Sequence, residues 1–369
     1  MFKMIRTFHP VGHGAFYTEE FVLDNVIKYT MVFDCGGTKI KDKIDSIFSE
    51  EYDIDLVYIS HFHDDHVNGL EYLLERCKVK KIILPLLHDE EKIEVFLENE
   101  NSSFFVQNLC LNPKAIIKEY SKYKKIEVIF VSTEVDDNNT STDISNIEGE
   151  VKSGTKITIK LLSGWIYVPF NFKYKIRNKI LLDKLKSEGI SLELKTFKQT
   201  FNKNKKLIKD IIYKSIGKKG EDKHINTNSL VIYSGISNDK RIFKRSLFKI
   251  DTYKRYRKEV GCLYMGDYNA KKNFEDSKNK FKKYFKKISV IQVPHHGSIH
   301  NYHKGLNFKK NLISIISAPE KSKDHPHVSV INMITLKYGL PLIVTDEPLT
   351  KVVQTIEAKE GFSPIFRKT

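Results

Sequence analysis

The sequence predicts a layered α/β fold, and three patterns support this prediction. Strand-like segments alternate with segments of helical apolar spacing through the first 130 residues, as in folds where helices cover a sheet. Several of the strand-like segments run into turns that carry histidine or aspartate. The chain has 369 residues and is 40% apolar, which is enough for a large core and excludes a disordered protein.

The first part of the chain defines the alternation. The first 35 residues are expected to be strands, since segments 21–27 and 28–33 are rich in β-branched and aromatic residues, and the second ends at the turn Asp34-Cys-Gly-Gly37. The elements expected next are a helix over 41–49, a buried strand over 55–60, a helix over 70–76 and a buried strand over 81–85.

The middle of the chain is more polar. Residues 133–155 are expected to form a surface loop, followed by a strand over 156–162. Residues 171–223 are expected to form a basic, mostly helical insertion, because apolar residues at helical spacing alternate there with lysine. Later strands are predicted over 229–233, 262–265, 288–293, 312–316 and 342–345.

Charge is concentrated in one block. The net charge of the chain is +16, but residues 171–287 hold 33 Lys and Arg against 12 Asp and Glu, a net charge of +21. Such a block is typical of a surface that meets an anionic partner, with a biased composition as the alternative explanation. The four scattered cysteines exclude a disulfide scaffold, and no leader or run of about 18 apolar residues occurs. A cytoplasmic protein without membrane insertion is therefore expected.

The strongest chemical signal follows the predicted strand 55–60. Within Ser60–Gly69, the residues His61, His63, Asp65 and His66 form the pattern His-x-His-x-Asp-His. Imidazole and carboxylate together suit zinc, with iron or manganese as alternatives. Two imidazoles two residues apart point the same way on an extended segment, and the next two ligands lie one turn further on. The pattern therefore predicts a two-metal centre.

Three weaker signals also follow predicted strands. They are Asp267 after Gly266, the pair His295 and His296, and the segment 324–327, which carries His325 and His327. Each alone would suit an ordinary turn, but loops after strands at one sheet edge are where sites collect. The residues alone leave open which histidine of each pair is a ligand.

Together these motifs resemble the metallo-β-lactamase superfamily, and in particular the metallo-hydrolase domain of ComEC-type competence proteins. The segments 11–16, 32–37 and 226–231 look like further parts of that domain. The resemblance implies a four-layered αββα sandwich that spans residues 1–369 as a single domain, with the basic insertion inside it.

The resemblance also implies roles for single residues. His61, His63 and His295 would hold one divalent metal ion, while Asp65, His66 and His325 would hold a second. Asp267 would bridge the two ions, and Asp34 would orient a ligand. His296 and Ser298 would lie near the substrate phosphate, and Asp65 would also orient the attacking water or accept its proton.

The predicted function is a metal-dependent nuclease that hydrolyses DNA or RNA through a metal-bound hydroxide. The basic block would then contact phosphates, and its candidate contact residues are Lys203, Lys205, Lys206, Lys209, Lys244, Arg245, Lys254 and Arg255. The alternatives are a small-molecule phosphodiesterase, including one for cyclic nucleotides, or another ester or lactone hydrolase. A non-catalytic nucleic-acid-binding module and a defence or toxin effector controlled by a partner protein are further alternatives.

Overall fold

Two β-sheets pack face to face and carry helices on both outer faces. The computed structural model describes residues 2–120, 123, 125–160, 162, 164–172, 179–216, 229–237, 243–250 and 253–358. One apolar cluster fills the space between the sheets, and two others lie between each sheet and its helices. The four-layered αββα sandwich expected from the sequence is therefore confirmed.

The first sheet combines antiparallel and parallel strands. Its strands are β1 (Phe2–Phe8), β2 (Tyr17–Leu23), β3 (Val26–Phe33), β4 (Asp53–Tyr58), β5 (Lys78–Pro85), β6 (Glu127–Val135), β8 (Glu150–Ser153), β12 (Phe243–Ile250), β13 (Tyr253–Arg257) and β18 (Val352–Ala358). They lie in the order β13-β12-β18-β1-β2-β3-β4-β5-β6-β8. The pairs from β3 through β8 are parallel, so β3 and β4 end at the same edge.

The second sheet has its own parallel half. Its strands are β7 (Ser141–Asp143), β9 (Lys156–Thr158), β10 (Trp165–Asn171), β11 (Leu230–Ile236), β14 (Gly261–Tyr264), β15 (Ile288–Gln292), β16 (Ile313–Ser317) and β17 (Leu340–Val344). The order is β17-β16-β15-β14-β11-β10-β9-β7. Strands β14 to β17 are parallel, and β14, β15 and β16 are buried along their whole length, as expected for parallel strands covered on both faces.

Helices cover the outer faces. Those packed on the first sheet are α1 (Ile40–Ile47), α2 (Asp64–Val67), α3 (Leu70–Arg76), α4 (Asp89–Glu98), α5 (Phe104–Leu111), α6 (Pro113–Glu119), α7 (Lys179–Ser187), α8 (Leu194–Lys203) and α9 (Lys205–Ile216). The second sheet carries α10 (Ala270–Phe281) and α11 (Val328–Leu336). Within the described residues, every helix is too short or too polar to cross a membrane.

The helical segment 179–216 packs on the first sheet's helices. Phe197 and Phe201 of α8 contact Phe96 of α4 edge-on, with ring centroids 5.7 and 5.4 Å apart. Lys209 of α9 forms an ion pair of 2.7 Å with Glu100, just beyond α4. Parts of the predicted insertion, residues 173–178 and 217–223, lie outside the described residues.

Two sequence predictions differ from the fold. The predicted strand 21–27 is interrupted by a turn, since Asp24 and Asn25 adopt positive φ angles of 49° and 63° that close a hairpin between β2 and β3. The predicted loop 133–155 contains the end of β6 and all of β7 and β8. Strands β7 and β8 pair with β9 and β6 at sheet edges, and such pairing overrides a polar local sequence.

A buried ion pair of the first sheet is hydrogen-bonded to residues of the second sheet at the centre of the sandwich. Arg6 and Glu19 are both fully buried, and Arg6 Nε donates to Glu19 Oε1 over 2.7 Å. The remaining Arg6 donors reach the Val260 carbonyl at 3.0 Å, the Gln354 side chain and Ser234 Oγ. Glu19 also accepts hydrogen bonds from Tyr167, Ser234 and Tyr264. Each polar end of the pair therefore has protein partners.

Candidate metal centre

A buried carboxylate, Asp34, organises the first half of the site. It follows β3 with a positive φ of 54°, a conformation that aspartate tolerates better than most residues. Its Oδ1 accepts the backbone N–H of Ser60 at 2.6 Å, and its Oδ2 accepts Ser60 Oγ and His66 Nδ1, both at 2.7 Å. Asp34 therefore fixes the loop after β4 and one imidazole ring at the same time.

The hydrogen bonds of Asp34 define which ring nitrogens carry protons. Because Asp34 can only accept, His66 Nδ1 is the donor in that pair. Ser60 Oγ donates to Asp34 and lies 2.9 Å from His61 Nδ1, so it accepts from that nitrogen. In both rings Nε2 is thereby left as the atom that can bind a metal. For His66 this is the arrangement of carboxylate–histidine–metal triads, and for His61 the Ser60 hydroxyl lies between the ring and the carboxylate.

These two Nε2 atoms face Asp267. His66 Nε2 lies 3.2 Å from Asp267 Oδ1, and His61 Nε2 lies 3.6 Å from Asp267 Oδ2. Both Nε2 atoms are buried and make no hydrogen bond to any described residue. Ligand atoms of His61, His66 and Asp267 lie within 4.8 Å of one another. We call these three residues the inner group, and the chemistry and spacing of their donors fit a divalent metal ion.

The position of Asp267 depends on a close approach between the two sheets. Gly266 precedes it with a φ of +51°, and a Cβ at that glycine would lie 2.7 Å from the Cβ and Oγ of Ser60. The backbone N–H of Asp267 donates to Ser229 Oγ at 2.9 Å. A glycine is therefore required where the turn after β14 meets the turn after β4.

Burial and neighbouring charges set the protonation of the inner group. Burial, with help from His66, lowers the pKa of His61, which favours the neutral ring that binds metals. Burial opposes a charge on His66, but Asp65, Asp267 and Asp34 outweigh it and hold its pKa well above the usual value. Against burial, His295, His66 and His61 hold the pKa of Asp267 well below its usual range.

A second set of donors adjoins the first. Asp65 Oδ2 lies 2.9 Å from His296 Nε2 and 3.4 Å from His13 Nε2. Ligand atoms of these three residues also lie within 4.8 Å of one another, and we call them the outer group. Asp65 Oδ2 is 3.7 Å from His66 Nε2, so the two groups are neighbours.

The contacts of His296 show why the outer group suits a cation. Its Nδ1 lies 2.9 Å from the carbonyl oxygen of Ser317, which can only accept, so Nδ1 carries a hydrogen. A neutral His296 then directs the lone pair of Nε2 at the carboxylate of Asp65. Two acceptors at 2.9 Å need a proton or a cation between them. Without a cation, the hydrogen bond to Asp65 raises the pKa of His296 against the effect of burial.

Other predicted ligands lie around the two groups. His295 Nδ1 is 3.4 Å from Asp267 Oδ2, and burial lowers the pKa of His295 to about 4. The ring of His325 lies 5.8 Å from that of His295 and 6.3 Å from that of His296. His63 Nε2 is 2.5 Å from Glu98 Oε2 at the end of α4. The structure thus gathers His63, His295 and His325 at the rim of the donor groups.

Ser298, predicted to lie near the substrate, and His327, the alternative ligand to His325, both accept hydrogen bonds from nearby backbone N–H groups. Ser298 Oγ accepts the backbone N–H of His300 at 3.2 Å and so supports the turn after β15. His327 Nδ1 accepts the N–H of Ser329 at 3.1 Å and caps α11. Of the pair His325 and His327, His325 is the one whose ring lies near His295 and His296.

The predicted nucleic-acid contacts fall in two places. Lys203, Lys205 and Lys206 are exposed at the α8–α9 junction, and Lys205 and Lys209 lie 4.0 and 2.7 Å from carboxylate oxygens of Glu100. The other four contacts are on β12 and β13, whose backbones are described but whose side chains at these positions are not: Lys244, Arg245, Lys254 and Arg255. Strand β12 is four strand spacings from β3, about 19 Å.

Three residues of the site are absent from the sequence-based prediction. Ser60 links Asp34 to His61, Glu98 contacts His63, and His13 joins the outer group. The sequence does carry one signal for His13, because it lies between Gly12 and Gly14 in a turn near the start of the chain. Nothing in the local sequence of Ser60 or Glu98 distinguishes them from an ordinary strand end or helix end.

The αββα sandwich, with a His-x-His-x-Asp-His loop after β4 and an aspartate and histidines after β14 and β15, is the metallo-β-lactamase fold. Comparison with protein families finds a match to the model described as anti-Pycsar protein Apyc1, over residues 7–100. The anti-Pycsar protein Apyc1 of Paenibacillus sp. (strain J14) is 33% identical over 94 residues. That match covers 24% of this chain and 38% of the relative. The family match over residues 7–100 includes the His-x-His-x-Asp-His loop.

Two solved structures also align with most of this chain, at lower sequence identity. The metallo-β-lactamase fold protein YhfI from Bacillus subtilis aligns over 94% of this chain and 98% of its own, with 8% identity and a TM-score of 0.38. The short form of human tRNase Z aligns over 92% of both chains, with 9% identity and a TM-score of 0.36. The fold assignment depends on the strand order and layering described above.

Proposed function

We propose that this protein is a metal-dependent phosphodiester hydrolase. The observation that carries the proposal is that the inner and outer groups adjoin, with His66 Nε2 of one 3.7 Å from Asp65 Oδ2 of the other. Divalent cations in adjoining sites lower the pKa of a coordinated water and neutralise charge on both the attacking and the leaving oxygen. Phosphodiesters suit such a centre because their anionic oxygens are drawn to it.

The protein's own residues position the reacting groups. Asp34 holds the rings of His61 and His66 so that each Nε2 faces the centre. Asp65 remains an anion, because His66 and His296 hold its pKa well below the usual value despite burial. Its Oδ2 can accept the hydrogen bond that orients an attacking water. The side chain of Asp65 is 23% exposed, so water and substrate reach it.

We favour a small phosphodiester, such as a cyclic nucleotide, over a nucleic acid as the substrate. The matched relative carries the name of an anti-Pycsar protein rather than of a nuclease, and the family match of the same name includes the histidine loop. Glu100 pairs with Lys209 and lies 4.0 Å from Lys205, which weakens the case that these lysines bind a phosphate backbone. Nucleic acid remains the second candidate, because residues 171–287 carry a net charge of +21.

A substrate panel tests the proposal. The metal-free full-length protein is reloaded with Zn²⁺, Mn²⁺ or Fe²⁺ and assayed on bis(p-nitrophenyl) phosphate, on 3′,5′-cyclic nucleotides, and on single- and double-stranded oligonucleotides. We expect turnover of the model diester and of a cyclic nucleotide, abolished by chelation and in Asp267→Asn. Cleavage of oligonucleotides alone would make nucleic acid the favoured substrate in place of a small phosphodiester. Failure to cleave any phosphodiester with any of these ions would refute the proposal.

A further inference from the structure

The loop between β1 and β2 is built tightly against the histidine motif. The N–H of Ala15 donates to the carbonyl of Asp65 at 3.3 Å, and the carbonyl of Ala15 accepts the N–H of Gly36 at 3.0 Å. Gly14 has a φ of +140°, and a Cβ there would lie 2.5 Å from the carbonyl oxygen of Asp65. Any side chain at this position would therefore collide with the backbone of α2.

The other end of the loop is equally fixed. The carbonyl of Val11 accepts the N–H of Thr38 at 2.8 Å, and the N–H of Gly12 donates to the carbonyl of Thr345 at 3.2 Å. Across residues 11–16, His13 is exposed and the other five residues are buried. The loop thus presents one side chain from a rigid backbone.

The side chain of His13 points at the other two members of the outer group, Asp65 and His296. His13 Nε2 lies 3.4 Å from Asp65 Oδ2, and its ring centroid lies 4.4 Å from that of His296. Among the described residues, no short hydrogen bond holds this ring, since the 3.4 Å between His13 Nε2 and Asp65 Oδ2 is long for one. Its side chain is 47% exposed, so the outer group opens to solvent on this side.

We propose that His13 is a metal ligand, and that it binds the outer divalent cation together with Asp65 and His296. Three protein ligands with one open side are typical of catalytic rather than structural metal sites. This assignment differs from the ligand set implied by the family resemblance, in which Asp65, His66 and His325 share the second ion. It deepens the proposed function by completing the ion-binding centre on which that function depends.

Metal titration of the full-length protein tests the role of His13 without using a substrate. The metal-free wild type and His13→Ala are titrated with Co²⁺ while visible absorption is recorded, and bound ions are counted after dialysis. We expect two ions in the wild type. Loss of a residue that only hydrogen-bonds to a metal ligand weakens binding roughly 10- to 100-fold. Because His13 is itself proposed to be a ligand, we expect His13→Ala to weaken binding of the outer ion by more than this.

Three variants make the result specific. His88→Ala removes an exposed histidine at the start of α4, about 15 Å along the helix from Glu98, and should bind both ions like the wild type. His296→Ala should lose the same ion as His13→Ala, while His61→Ala should lose the other. Unfolding of each metal-free variant, followed by circular dichroism, shows whether the fold is intact.

The outcomes separate this proposal from the proposed function. Wild-type affinities for both ions in His13→Ala would overturn the role of His13, even if the Michaelis constant for a phosphodiester changed. A wild type that binds fewer than two ions would overturn it as well. If the wild type cleaves no phosphodiester but His13→Ala still loses one ion, the role of His13 as a metal ligand would be supported and the proposed hydrolase function would be refuted.

Discussion

The Arg6–Glu19 pair and the inner group both place charge inside the same sandwich, but they are completed in different ways. Arg6 and Glu19 are surrounded by protein donors and acceptors from both sheets. In the inner group, the buried Nε2 atoms of His61 and His66 make no hydrogen bond within the described part of the chain. The polar groups of the Arg6–Glu19 pair are satisfied by the chain itself, whereas the donors of the inner group fit a divalent ion.

The role of a buried charge can be inferred from the source of its interaction partners. Removing charged groups from water costs several kcal/mol per ion unless partners replace the water. A cluster whose partners all come from the protein contributes to the specificity of the fold. A cluster in which buried ring nitrogens make no hydrogen bond has given up some stability, which binding of an ion would restore. Substitutions in the inner group should therefore lower activity more than the stability of the metal-free protein, whereas substitutions in the Arg6–Glu19 pair should lower stability and leave metal binding intact.

The largest expected effect is on activity, in Asp267→Asn. Replacing a carboxylate oxygen by an amide removes the anion that faces His61 and His66, so the inner ion should be lost. Loss of several kcal/mol of transition-state stabilisation should lower kcat/KM on the order of 10³-fold. The metal-free variant should unfold close to the wild-type midpoint. Retention of both the ion and the activity would show that Asp267 is not a ligand.

The next effect is on stability, in Glu19→Gln. The substitution leaves the Arg6 guanidinium buried without its counter-ion, and breaking a buried pair costs about 3–5 kcal/mol. We expect a corresponding decrease in the free energy of unfolding, measured by urea denaturation, with unchanged metal content. The double variant Arg6→Met/Glu19→Leu should recover much of that loss. A Glu19→Gln protein as stable as the wild type would contradict the comparison.

Chelation should have an intermediate effect and act on the donor groups alone. An ion present at 100 times its dissociation constant stabilises the folded state by about 2.7 kcal/mol. We expect the thermal midpoint to fall by several degrees when EDTA is added, and to fall equally in the wild type and in Glu19→Gln. An unchanged midpoint, together with no metal in the purified protein, would indicate that the donor groups do not bind an ion.

A smaller effect is expected at the rim of the site. Glu98 Oε2 lies 2.5 Å from His63 Nε2, and against the effect of burial it raises the pKa of His63. If the other ring nitrogen of His63 binds metal, Glu98→Gln should weaken metal binding about 10- to 100-fold. Glu100→Gln is the matched control, because Glu100 lies two residues away and pairs with Lys209. Equal metal affinities in the two variants would exclude this role for Glu98.

The smallest effect concerns the lysines of α8 and α9. If nucleic acid binds there, replacing the exposed Lys203 and Lys206 by alanine should reduce the slope of log affinity against log salt by about 2. The same change at Lys205 and Lys209 should reduce it less, because Glu100 already competes for them. Identical slopes in the wild type and both double variants would remove this surface from consideration.

Much of the site could be predicted from the sequence because its ligands follow strands. A buried strand that runs into His-x-His-x-Asp-His is a local pattern, and so is an aspartate after glycine at the end of β14. Parallel pairing of β3 and β4 brings Asp34 and the histidine loop with Asp65 to one edge of the first sheet. Packing of the second sheet then places Asp267, after β14, against His66 of that loop.

The remaining features depend on contacts between distant parts of the chain. The Arg6 side chain meets Tyr264, 258 residues away, and a polar residue within a strand gives no sign of such a partner. His13 reaches Asp65 because the β1–β2 loop folds over α2, a contact decided by tertiary packing. The strand content of 133–155 also comes from pairing with neighbouring strands, in a segment whose own residues favour a turn.

The donor groups are divided between the two sheets, and this division sets the order in which the protein acquires its chemistry. His61, Asp65 and His66 belong to the first sheet's loops, but Asp267 and His296 follow strands more than 200 residues later. A growing chain folds from its N-terminal end. Together with His13, the three residues of the first sheet's loops give the nascent protein four of the six donors, and neither group is complete until β14 and β15 leave the ribosome.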